Sequence, residues 1–180
     1  MASAASEDVD RLDYLNFVEH AVAAAADQVE GLDPLAMRLV ITLHRATSAL
    51  VYDLESSVHR PAGWSWAGFR VVFALWLGGP MEGKRVAHLA GMSRAAVSAL
   101  VHTLERDGMV TKRTSARDRR AVELTITDRG AQVMRDVFAA HNERERAWAS
   151  TLSAAEQRQM IRLLDKMLAG SRDAALRHRT

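Results

Sequence analysis

LAGMSRAAVSALVHTLERDGMVTKRTSARDRRAVELTITDRG, residues 89–130, changes its hydrophobic period halfway along. In the first half Val97, Leu100, Val101 and Leu104 follow i, i+3, i+4, i+7 spacing, the stripe of a helix that buries one side. Gly91-Met92 makes a turn before it, and Ser93 can accept a hydrogen bond from the free amides of its first turn. Gly108 closes it, where a left-handed residue costs least. The period then falls to two. Val110, Lys112 and Thr114 form a short strand, and Ala121 to Ile126 form another with Val122, Leu124 and Ile126 alternating inward. Between them Ser115-Ala116-Arg117-Asp118-Arg119-Arg120 is too polar for a core and suits a hairpin tip. Upstream, Lys84 to Ala90 reads as another short helix with Val86, Leu89 and Ala90 inward.

Helix, tight turn, helix, strand, basic hairpin, strand is the order of a winged helix-turn-helix. An α-helix fits the major groove of B-DNA, so the second helix of the pair can present side chains to base edges. With its apolar stripe inward, Ala95, Ala99, His102 and Arg106 lie on the opposite side, flanked by Arg94, Ser98 and Thr103. That face is small, polar or basic, which permits close approach to a groove. Ser93 and the amides behind it stand at the positive end of the helix dipole, suited to a phosphate. The hairpin places Arg117, Arg119 and Arg120 where a wing reaches phosphates or a narrow minor groove. His102 can equally be a plain surface histidine, and Arg106 can pair with Glu105, Asp107 or the helix end.

The surrounding chain is helical. Leu12, Leu15, Val18, Val22 and Val29 predict a helix over about residues 7–30, ended by Gly31. Pro34 opens a second long helix whose stripe is Leu39, Leu43, Ala46, Leu50 and Leu54 and which ends before Pro61. Ser65 caps a third, with Phe69, Val72, Phe73 and Trp76 inward, stopped by Gly78-Gly79-Pro80. After Thr127, Met134, Val137, Phe138, His141 and Trp148 mark another long helix. Ser153-Ala154-Ala155-Glu156 is a capping box. It opens a last helix bearing Met160, Ile161, Leu164, Met167 and Leu168 and closing near Gly170. The fold class is mainly α with a small β-hairpin wing: a winged helix-turn-helix carrying N- and C-terminal dimerisation helices. Stripes that long exceed what a small domain core needs, so the end helices are expected to pack across a two-fold axis.

Composition limits the function. Apolar residues make up 48% and charged residues 26%, the balance of an ordinary globular protein. No run approaches the roughly 18 apolar residues of a membrane span, and the acidic start MASAASEDVDRLDY does not resemble a secretory signal; a cytoplasmic protein is expected. The absence of cysteine removes disulfides, thiolate zinc sites and thiol chemistry. The net charge of +2 conceals a basic middle: Lys84 to Arg120 holds nine basic and three acidic residues, as in a domain that meets a polyanion. No catalytic residue, metal ligand or cofactor is assigned. Gly78-Gly79-Pro80-Met81-Glu82-Gly83-Lys84 has the spacing of a phosphate-binding loop, but Arg85 replaces the magnesium-binding hydroxyl and a helix precedes it. Gly91-Met92-Ser93-Arg94-Ala95 lacks the strand that a nucleophile elbow needs. The seven histidines show no short ligand spacing.

The run from Leu89 to Gly130 resembles the core of MarR-type transcriptional regulators. Leu89-Ala90 before the turn, Val97, Leu104-Glu105, Gly108, Asp118-Arg119-Arg120, Ile126-Thr127 and Gly130 match the family's motifs in order. The resemblance covers about residues 33–170 and is most specific over 86–130. It implies a homodimer that binds double-stranded DNA at a near-palindromic operator, probing it through a recognition helix at 93–107 and a wing at 114–121. Under it, Asp118 braces the wing by pairing with Arg120, and Arg119 is freer to reach DNA. The chain departs from the common pattern at Ala95-Ala96, where Ser-Thr is frequent, and at Ala99, where Arg or Lys is frequent. Base readout is therefore expected to lean on Arg94, Ser98, His102 and methyl contacts.

The resemblance also implies a regulator, a repressor by expectation, released by a small aromatic or anionic effector. Trp64, Trp66 and Arg70, with His44, Arg45 and Tyr52 on the preceding helix, are either ordinary core with an aromatic hinge or such an effector pocket. The expected division is a helical extension at 1–32 and a MarR-like domain at 33–180. Within the latter, the winged helix-turn-helix takes about 65–126 and the dimerisation helices about 33–59 and 127–172. The alternatives are a protein-interaction module without specific DNA binding and a nucleotide-using enzyme working through Gly83-Lys84. Neither requires a membrane.

Overall fold

A computed structural model describes residues 16–114 and 122–177, with side chains through residue 170. The chain divides into two compact units at the Asp53–Leu54 boundary. In the first, helix α1 (Phe17–Gln28) is followed by α2 (Pro34–Leu54). The side chain of Asp33 accepts from the amide of Ala36 at 3.0 Å, which caps α2 just ahead of Pro34. Arg38 pairs with Glu19, and the Arg45 guanidinium lies 5.5 Å from the centre of the Phe17 ring. The N-terminal part of the helix expected over 7–30 lies outside the described residues.

The second unit begins with a π-helical turn at Glu55–His59, so the long helix does not run regularly to Pro61. The amide of Arg60 bonds the Glu55 carbonyl at 2.8 Å, five residues back, which widens the last turn. Helix α3 (Trp66–Gly78) starts at Ser65, whose hydroxyl accepts from the Gly68 amide at 3.1 Å. Strand β1 (Met81–Glu82), α4 (Gly83–Ala90), α5 (Arg94–Arg106), β2 (Val110–Thr114) and β3 (Val122–Ile126) follow. Two long helices, α6 (Asp128–Ala149) and α7 (Ala154–Arg177), complete the order.

The sheet is antiparallel with order β1-β3-β2, pairing Met81 with Leu124, Val110 with Ile126 and Thr114 with Val122. The third strand is an addition to the expected hairpin. Two residues are too few to show a period, and β1 exists because β3 offers it a ladder. Three side-chain or boundary expectations also change. Leu89 is half exposed, and Val86, Ala87 and Ala90 are the buried residues of α4. Val122 is exposed because it pairs with Thr114 at the end of the ladder next to the 115–121 connection, beyond the core that covers Leu124. Helix α7 continues past Gly170 to Arg177, since a glycine inside a helix costs only about 1 kcal/mol.

One apolar core joins these elements. Val71, Val72 and Leu75 of α3 meet Val86 of α4, Val97, Val101 and Leu104 of α5, Met109, Val110 and Leu124 of the sheet, and Met134 and Val137 of α6. The start of α6 is locked to the end of α5. Thr127 Oγ1 donates to the Gly108 carbonyl at 2.7 Å and accepts from the Gly130 amide at 2.9 Å. Gly130 has no room for a side chain: a Cβ there would lie 2.2 Å from the Met109 carbonyl oxygen. This contact fixes where the sheet leaves the helix pair.

Candidate nucleic-acid interface

Helix α5 is built as the sequence predicts. Ser93 Oγ accepts from the Ala96 amide at 3.1 Å, and Gly108 has φ +70°, the left-handed value that lets the chain turn out of the helix. Val97, Val101 and Leu104 are buried, whereas Ser93, Arg94, Ala95, Ser98, Ala99, His102 and Thr103 are exposed. The structure thus brings the seven helix residues singled out for DNA contact onto one solvent-facing strip. Arg117, Asp118, Arg119 and Arg120 lie outside the described residues.

The turn before α5 is held from outside the helix pair. Gly91 takes φ +61°, and the Met92 amide bonds the Ala87 carbonyl at 2.9 Å. Nη2 of Arg70, on α3, donates to the Ala90 carbonyl and, at 3.1 Å, to the Gly91 carbonyl. Arg70 therefore sets the angle at which α4 hands the chain to α5. Beside it, Phe73, Ala74, Leu77, Leu89 and Ala90 complete a hollow of about 360 Å³ with mostly apolar walls.

On the other flank Lys112 of β2 reaches Glu105 of α5, Nζ to Oε2 at 2.8 Å. The hydrogen bond from Lys112 holds the Glu105 carboxyl below the usual glutamate value. Lys84, Arg94 and Lys112 edge a cleft of about 240 Å³ floored by Val97, Val101 and Leu124. Lys84 also pairs with Glu82 at 2.8 Å, and Arg106 with Asp107 at 3.0 Å. Sequence reasoning missed Lys84 and Lys112 as members of this surface. Their only signal was the positive charge of the segment, because contacts across a sheet edge leave no short-range spacing.

The MarR family model matches residues 64–122, which spans α3 to the start of β3. An HTH-type transcriptional regulator of Bacillus subtilis, YwaE, is 30% identical over 139 residues, covering 77% of this chain and 81% of that protein. The chain belongs to the MarR family of transcriptional regulators. The fold agrees: AbsC, a MarR-family regulator of Streptomyces coelicolor, has a TM-score of 0.73 at 19% identity over 81% of this chain and 99% of its own. A mutant MarR of Escherichia coli complexed with operator DNA has a TM-score of 0.68 at 18% identity, covering 72% and 93% of the two chains. Members of this family are regulators and not enzymes, which sets aside the nucleotide-using alternative.

The remaining sequence-predicted positions of this MarR-family chain are spread over both units. His44, Arg45 and Tyr52 stand on α2 in the first; Tyr52 is exposed and Arg45 covers Phe17. In the second unit Trp64 is buried in the core, and Trp66 stacks on His59 and Phe69 at 5.4 and 5.7 Å. Arg70 is engaged by the two backbone carbonyls of the α4–α5 turn. Among the described residues no group of three or more metal-ligating side chains comes together, and no helix is long and apolar enough to cross a membrane.

Proposed function

We propose that this MarR-family regulator binds a near-palindromic operator in double-stranded DNA as a homodimer, acts as a cytoplasmic repressor, and is released by a small aromatic or anionic effector. The observation that carries the reading is the two-sidedness of α5: Val97, Val101 and Leu104 are sealed in the core while the opposite strip of small, polar and basic side chains is exposed. In this reading Arg94, Ser98 and His102 meet base edges, and the small side chains of Ala95 and Ala99 let the backbone approach. Ser93 and Thr103, with Arg117, Arg119 and Arg120 of the wing, meet phosphates, and Asp118 braces the wing.

Exposed apolar side chains support dimerisation through the long helices at 33–59 and 127–172, with residues 1–32 as an extension. Leu35, Leu39 and Val40 on α2 and Met160, Ile161, Leu163 and Leu168 on α7 face solvent in the single chain, more apolar surface than a monomer leaves uncovered without cost. Two reading heads about one helical turn apart then require a two-fold-related site. Of the residues expected to hold an effector, Trp64, Trp66 and Arg70 share the second unit, and Arg70 borders the apolar hollow on α3. An effector acts only by binding two dimer geometries with different affinity.

Selection of bound sequences from a random duplex pool tests the assignment. The expected product is a single family of two-fold-symmetric sites bound at two chains per duplex. Recovery of no enriched sequence overturns it and leaves a protein-interaction module. Titration of the selected complex with aromatic carboxylic acids tests the effector clause, which fails if none changes the affinity.

A further inference from the structure

A buried polar chain lies apart from the DNA-facing strip. His59, the last residue of the π-helical turn, is 0% exposed, and His141, in the middle of α6, is 4% exposed. His59 Nε2 and His141 Nδ1 are 3.1 Å apart. His141 Nε2 is in turn 3.1 Å from Oε1 of Glu145, one turn further along α6. The Glu145 carboxylate can only accept, so it places a proton on His141 Nε2. With His141 Nδ1 unprotonated, that nitrogen accepts and His59 Nε2–H donates to it. In that tautomer the donors run from His59 through His141 to Glu145.

That order leaves His59 Nδ1 as a bare nitrogen, buried and without a hydrogen-bond partner among the described residues. Phe69 and Trp66 of α3 stack on the His59 ring with centres 4.4 and 5.4 Å away, and Phe69 also stacks on His141 at 4.6 Å. A neutral ring tolerates this box, because an unprotonated nitrogen loses little there. A second proton would put an N–H and a full charge against apolar walls, with the Glu55 carboxylate as the group that favours it. Burial, and next the neighbouring His141, hold His59 down to about 4, with Glu55 opposing them.

The other charges around the ring do not offset this. On its own turn Glu55 faces Arg60 at 3.5 Å. From α6 come His141 and Glu145, and α3 presents Trp66 and Phe69, while its Arg70 is taken up by the Ala90 and Gly91 carbonyls. The backbone of His59 is a second anchor. Its carbonyl accepts from the amides of Ala62 and Trp64 at 3.1 and 2.8 Å, shaping the loop that enters α3. One residue therefore ties the π turn to α6 and sets the start of α3, the helix on which α4 and α5 pack.

We propose that His59, His141 and Glu145 form an acid-released latch: while neutral it holds the turn after α2 to α6, and on protonation it opens and lowers the regulator's affinity for DNA. The clause about DNA rests on the function proposed above; the latch itself does not. Once open, His59 accepts a proton in the ordinary range near 6.5, so each pH unit from there down to about 4 favours the open form by up to about tenfold.

The test uses the full chain. Histidine ring nitrogens labelled with nitrogen-15 are followed by NMR from about pH 7.5 to 5, alongside affinity for the duplex recovered by selection. His59 is expected as a neutral ring protonated at Nε2, with no titration near pH 6.5. Below about pH 5.5 its signals are expected to be lost together with those of neighbouring α6 amides, while duplex affinity falls at least about tenfold. His59→Gln, which can donate to His141 but cannot titrate, is expected to flatten the affinity profile. Titration of His59 near 6.5 with α6 contacts intact overturns the latch, and parallel profiles for wild type and His59→Gln overturn its link to DNA. If no duplex binds selectively at pH 7.5, the proposed function and the DNA clause fail, and the NMR titration still decides the latch.

Discussion

Arg70 donates from Nη2 to the Gly91 carbonyl at 3.1 Å and to the Ala90 carbonyl beside it, so a cation on α3 holds the hinge of the helix-turn-helix from behind. Gly91 is in the left-handed region and Ser93, two residues on, caps α5. The orientation of the exposed strip of α5 therefore depends on a side chain that does not lie on it.

Replacing Arg70 tests that dependence. Arg70→Ala leaves two carbonyls without their charged donor, a change worth about 1–3 kcal/mol. The thermal midpoint is expected to fall, and operator affinity at constant salt to fall further than an unfolded fraction explains. Lys at this position, whose flexible ammonium lacks the fixed donor directions of a guanidinium, is expected to restore only part of both.

Gly130→Ala is expected to cost more than its one methyl group suggests. The new Cβ would meet the Met109 carbonyl oxygen at 2.2 Å, and backbone on both sides must move. A loss of about 2 kcal/mol or more in denaturant unfolding is anticipated, in the range of overpacked cores. Gly170→Ala, which meets nothing within 4 Å, is expected to be neutral or slightly stabilising in the same measurement.

Two arginine changes separate positioning from reading. Arg119→Ala is expected to weaken operator binding about equally across sequences and to reduce the slope of log affinity against log salt by about one. Arg94→Ala is expected to relax discrimination among operator bases, at about 1–3 kcal/mol if it holds a guanine. An unchanged salt slope for the first would place the wing tip away from the backbone.

Acid stability follows from His59. Its folded value is lowered to about 4, whereas the unfolded chain protonates at the ordinary 6.5. The unfolded state thus binds the proton first as pH falls. Stability from this residue is fully present above pH 6.5 and is lost progressively down to pH 4, by about 2–3 kcal/mol at most. Thermal melts of wild type and His59→Gln over that interval should converge toward the acid end.

The Lys112–Glu105 pair is half exposed on both sides, so its loss should hardly move the melting temperature. Lys112→Ala is nevertheless expected to lower operator affinity, because it removes a cation from the edge of the cleft that Arg94 shares. A change in stability with no change in affinity would make the pair purely structural.

The sequence by itself determined the helix pair and its boundaries. Ser93 and Gly108 carry their capping roles in their own chemistry, and the stripe Val97, Val101, Leu104 is a local period that needs no partner to be read. The alternation in β3 was equally local at Leu124. Tertiary structure decided what depends on distant chain. Strand β1 forms only because β3 pairs with it, and Leu89 and Val122 lie outside because the core ends before reaching them. Glu105 finds Lys112 seven residues on, Arg70 finds Gly91 across a helix, and His59 finds His141 from 82 residues away. Hydrophobic periodicity reports which face of an element is buried, but not which polar atom will stand opposite; that is set only when the elements pack.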